Sequence, residues 1–103
     1  MEDNYKKLLD RLDFIEFKQN IIFLKPPNHN VQIFYQLSLE DFLKIKDFTK
    51  SYIIKMENNE DVSLSDFEKK IINIWQPAKS YPLAASLICK VLMGSSLYNK
   101  LIS

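Results

Sequence analysis

The stretch "NIIFLKPPNHNVQIFYQL", Asn20 to Leu37, is where the fold class turns. Ile21 to Leu24 is a short continuous apolar run. From Val31 the pattern alternates, with Val31, Ile33, Tyr35 and Leu37 on one side and Gln32, Phe34 and Gln36 on the other. Between the two runs lies Pro26-Pro27-Asn28-His29-Asn30, a cluster of breaker and turn residues. Two such runs around such a cluster predict a β-hairpin. A two-stranded ribbon is marginal by itself, so helices are expected to cover its apolar face.

On the N-terminal side a helix is predicted from about Asn4 to Lys18. Tyr5, Leu8, Leu9, Leu12 and Ile15 recur at helical spacing, Phe14 and Phe17 widen the stripe, and Asp3 or Asn4 can cap it. "FIEF" could instead open an extended segment, which leaves residues 14–18 between helix and strand.

On the C-terminal side two helix starts fit one template. Leu37-Ser38-Leu39-Glu40-Asp41-Phe42 and Val62-Ser63-Leu64-Ser65-Asp66-Phe67 each place a serine where it can cap, an aspartate three residues on and a phenylalanine after it. Apolar Leu37 and Val62, before the caps, can staple onto Phe42 and Phe67. The first helix is predicted over Leu39 to about Glu57, with Phe42, Ile45, Phe48, Tyr52 and Met56 inward. The second runs over Leu64 to about Trp75, with Leu64, Phe67, Ile71, Ile72 and Trp75 inward and Pro77 as its stop.

The most apolar stretch is "SYPLAASLICKVLMG", Ser80 to Gly94, in which only Ser86 and Lys90 are polar between Leu83 and Met93. A helix over 82–93, with Pro82 in its first turn and Gly94 past its end, is too short to span a bilayer. It is suited either to the centre of a core or to a partner surface. A short last turn is predicted over Leu97 to Ile102. The fold class expected is therefore α+β, mostly α: an N-terminal helix, one β-hairpin, then three to four packed helices, in one small domain over 1–103.

Composition narrows the function classes. The chain has 103 residues, 47% hydrophobic and 26% charged, the profile of a globular protein. A single glycine leaves no room for a phosphate-cradling or dinucleotide-binding loop. One histidine, His29, and one cysteine, Cys89, do not make a metal site. Cys89 has no base near it in sequence, and the acid pairs Glu40-Asp41 and Glu60-Asp61 fall at a cap and in a loop. No cofactor, metal or catalysis is expected. The N-terminus does not read as a secretory signal, and the cytoplasm is the expected location.

Net charge is +1, but it is unevenly spread. Residues 1–68 carry nine basic and thirteen acidic side chains, a balance of −4. Residues 69–103 carry five lysines and no acid, a balance of +5. Five lysines across these 35 residues, with one arginine in the whole chain, are thin for nucleic acid. A nucleic-acid-binding regulator using this lysine-containing, acid-free part is the alternative function.

The leading expectation is a non-catalytic protein-binding module, such as a small regulator, inhibitor, immunity protein or adaptor. Its partner would be another protein or peptide, or a second copy in a homodimer, with no membrane involved. Candidate partner-binding residues are Trp75, Lys79 and Tyr81 at a helix–helix corner, Lys90 on the apolar helix, and Phe34 on the hairpin. Trp and Tyr are favoured interface residues, but the Trp75 ring is better suited to close the core under the corner, while Tyr81 and Lys79 are open to either role. Two docking modes are open: strand addition at the hairpin edge, or contact through an apolar helix face. A hairpin from about Ile21 followed by three helices is similar in order to the PqqD-like domains, and that resemblance implies peptide capture by strand addition. The similarity is one of topology, and no motif residue carries it.

Overall fold

The computed structural model describes residues 2–24, 32–81 and 83–102. Five α-helices are present among them: α1 (Glu2–Phe23), α2 (Leu39–Glu57), α3 (Leu64–Ile74), α4 (Ala84–Met93) and α5 (Ser95–Ile102). Two short 3-10 turns, Ile33–Gln36 and Gln76–Ser80, sit before α2 and after α3.

The expected β-hairpin and the α+β class are wrong. No strand occurs among the described residues. Ile21 to Phe23, expected to begin a strand, complete the last turn of α1. Residues 14–18 are likewise helical. The second expected strand is a 3-10 turn in which adjacent Ile33 and Phe34 are both buried, together with Leu37, while Tyr35 is 75% exposed. Burial at i, i+1 and i+4 marks a helical face; a half-buried strand would alternate. The turn cluster Pro26–Asn30, His29 within it, and Val31 and Pro82 lie outside the described residues. Without a strand edge, docking by strand addition and the topological likeness to PqqD-like domains both fall.

The two serine caps are formed as expected. Ser38 Oγ accepts from the Asp41 amide at 3.1 Å, and Ser63 Oγ accepts from the Asp66 amide at 3.1 Å. Each satisfies one orphan N–H of its helix. At the other end of α2, Asn59 takes φ +58°, with its amide bonded to the Met56 carbonyl and the Glu60 amide to the Lys55 carbonyl. This is a Schellman-type closure, with asparagine where glycine is usual. Gly94, at φ +88°, makes the sharp passage from α4 to α5.

Helix α4 is the hub. It packs against α1, α2, α3 and α5. Ala84, Ala85, Ile88, Cys89 and Met93 are buried, Leu87, Val91 and Leu92 are half-buried, and Lys90 reaches water. Of the two roles open to this helix, core and partner surface, the fold uses it as core. Its small residues Ala84 and Ala85 let neighbouring elements approach closely.

Aromatic rings knit the elements around it to one another. Phe42 of α2 stacks on Phe14 at 5.0 Å and lies 5.0 Å from Phe17, both of α1. Phe17 meets Phe34 edge-on at 6.0 Å, and Phe34 lies 5.6 Å from Trp75. A second group joins Phe48 and Tyr52 of α2 to Phe67 of α3. Such ring pairs contribute beyond their buried area.

Candidate functional site

Helix α1 carries two apolar faces. Phe14, Phe17 and Ile21 turn inward, with Phe17 and Ile21 buried. At ~100° per residue, Tyr5, Leu8, Leu12, Ile15 and Ile22 fall roughly opposite them. The stripe that sequence periodicity marks as a core face is therefore turned to the outside: Tyr5 is 65% exposed, and Leu8, Leu9, Leu12, Ile15, Ile22 and Phe23 are exposed with it. Residues Asp3 to Leu9, the first two turns, are exposed all round. The inward face suffices to anchor the helix. It does so through the phenylalanines against Phe42, an ion pair from Asp13 to Lys46 of α2, and Lys18 Nζ seated 4.1 Å over the Phe14 ring.

The expected partner-binding residues are placed differently from one another. Phe34 and Trp75 are brought together, ring to ring, inside the core. Tyr81 is half-buried and packs against the core. Lys79 is exposed in the second 3-10 turn. Lys90 is exposed on α4 with its Nζ 5.3 Å over the Tyr98 ring. The five lysines beyond Glu68 fall on four elements: α3, the second turn, α4 and α5. The α1 outer face was missed as a site because its signal is also that of a core helix. The discriminating signal was present in the sequence: α1 has more large apolar residues than one face can hold.

Chemistry-bearing features are sparse. Cys89 is fully buried, its Sγ donates to Met93 Sδ at 3.5 Å, and burial pushes the thiol up to about 12, with Glu68 adding to the effect. Such a thiol is a poor nucleophile. No group of three or more His, Cys, Asp or Glu side chains among the described residues could hold a metal ion. A concavity of about 410 Å³ opens between the end of α2 and α5, lined by Met56, Val62 and Leu97 with Glu57, Glu60 and Lys100. No helix among the described residues is long and apolar enough to cross a membrane.

No family model, no curated protein and no solved structure matches this chain.

Proposed function

We propose that this chain is a non-catalytic protein-binding module, a small regulator, inhibitor, immunity or adaptor protein, whose contact surface is the outer face of α1. One observation carries the reading. Seven large apolar side chains, Tyr5, Leu8, Leu9, Leu12, Ile15, Ile22 and Phe23, stand exposed on one helix of a domain that already has a closed core. A contiguous apolar surface of this kind on a small domain marks an interaction site, because leaving it in water is costly unless a partner covers it. Tyr5 and Phe23, at the two ends of α1, are aromatic anchors of the type that dominates binding energy.

The test is site-specific photo-crosslinking in the producing cell. A photo-reactive residue in place of Leu12 should give a cross-linked protein band. The same residue in place of Asn73, exposed on α3, should not. No band from Leu12, or equal bands from both positions, would remove the assignment.

A further inference from the structure

We infer that the outer face of α1 pairs with the same face of a second copy of this chain, as a parallel, in-register two-stranded coiled coil. The inference rests on the reading of that face as a binding surface and names its occupant.

The spacing is that of a heptad seam. Tyr5, Leu8, Leu12, Ile15, Gln19 and Ile22 alternate steps of three and four residues, with Tyr5, Leu12 and Gln19 at a positions and Leu8, Ile15 and Ile22 at d. All six are exposed. A period of 3.5 keeps a seam facing one partner helix along its length. The core-facing residues Phe14, Phe17 and Ile21 occupy c and f positions, away from the seam. Among the described residues, each copy's own body therefore sits on the far side of its helix, with only Tyr35 and Phe34 close to the Ile22 end of the seam.

The flanking charges select the partner and its direction. Arg11 is at a g position and Glu16 at the following e position. In a parallel pair a g residue faces the e residue five positions on in the other helix, so Arg11 of each copy meets Glu16 of the other. Both side chains are exposed, and among the described residues neither has an ion-pair partner within the chain. An antiparallel pair would instead set Arg11 against Lys18 of the second copy, like against like. Gln19 is the one polar seam residue. In register it meets its own counterpart, and two amides can donate and accept mutually. A parallel pair slipped by one heptad would bury it against Leu12, and a reversed pair against a d residue such as Leu8. A single polar a residue favours this register, because only the in-register parallel pair lets the two amides meet.

Sedimentation equilibrium of the full chain should show a reversible species of twice the 12.2 kDa chain mass. Leu12→Glu should return it to monomer while the near-UV signal of buried Trp75 is unchanged. Arg11→Glu and Glu16→Arg should each weaken the dimer by about three- to tenfold, and the double exchange should restore it, because charge reversal on one side only sets like charges together. A monomer at every concentration overturns the dimer. If Leu12 then still cross-links to a different protein, the binding surface stands without its inferred occupant; if it cross-links to nothing, both fail. A dimer strengthened by Arg11→Glu alone, or indifferent to Leu12→Glu, also overturns this pairing.

Discussion

The phenolic oxygen of Tyr52 lies 2.9 Å from the Ser63 carbonyl oxygen and 3.1 Å from the Ser63 amide nitrogen. It donates to the first and accepts from the second. One side chain from α2 thus holds both backbone groups of the residue that caps α3. Burial, together with the charge of Asp66, keeps the phenol above its ordinary value of 10.0 although the Ser63 bond opposes this. Tyr52→Phe keeps the ring and its contact with Phe67 but removes both bonds. It should lower stability by about 1–3 kcal/mol, measured as a reduced urea midpoint at unchanged slope. A midpoint equal to wild type would mean that water replaces the hydroxyl without loss.

The two serine caps should respond separately from that bond. Ser38→Ala and Ser63→Ala each delete one acceptor for a helix N–H at 3.1 Å. Each should cost ~1 kcal/mol in denaturant unfolding. Replacement by Asp should restore most of the loss, since an aspartate accepts the same bond and suits the positive helix end. No loss in either alanine variant would count against the cap geometry.

The segment before α2 offers a direct test of turn against strand. Ile33 and Phe34 are neighbours in sequence and both buried, while Tyr35 is not. Phe34→Ala should cost ~3–5 kcal/mol and Ile33→Ala ~2–5 kcal/mol, through lost transfer energy and cavity formation. Tyr35→Ala should stay within ~0.5 kcal/mol. A strand would instead make Ile33 and Tyr35 costly and Phe34 cheap.

Helix α4 should behave as core. Ile88, at 0% exposure, should cost ~2–5 kcal/mol as Ile88→Ala. Cys89 should react with a thiol reagent only as fast as the domain opens, and sub-denaturing urea should accelerate it. Its titration adds a pH signature. The thiol is raised from 9.0 to about 12 in the folded chain, so the folded state holds a proton that the unfolded chain releases. The resulting stability is fully present below pH 9 and is lost as pH rises toward 12. Unfolding free energy measured between pH 8 and 11 should therefore fall less steeply for Cys89→Ala than for wild type. Parallel slopes, or rapid labelling in native buffer, would contradict a buried neutral thiol.

Much of the helical framework was legible in the residues because its causes are local. Ser38 and Ser63 lie next to the first turns they cap. The start of α2 at Leu39 and of α3 at Leu64, the end of α3 before Pro77 and the role of Gly94 follow from chemistry within a few positions. The apolar character of α4 likewise announced a helix with little face left for water, although only the packing of α1, α2, α3 and α5 around it made it core.

Two features were decided by tertiary structure alone. Ile21 to Leu24 is a short apolar run that suits either helix or strand, and the alternation from Val31 to Leu37 favours a strand that the fold does not form. What resolved them was the seating of Ile21 beside Phe17 in the core and of Ile33 and Phe34 together against it, a choice no local spacing expresses. On α1, sequence alone determined that the helix is apolar on more than one side. Which side faces inward depended on a match of shapes. Phe14 and Phe17 reach the Phe42 ring, and Asp13 reaches Lys46. Once those contacts form, the geometry of an α-helix carries Tyr5, Leu8, Leu12, Ile15 and Ile22 to the outside.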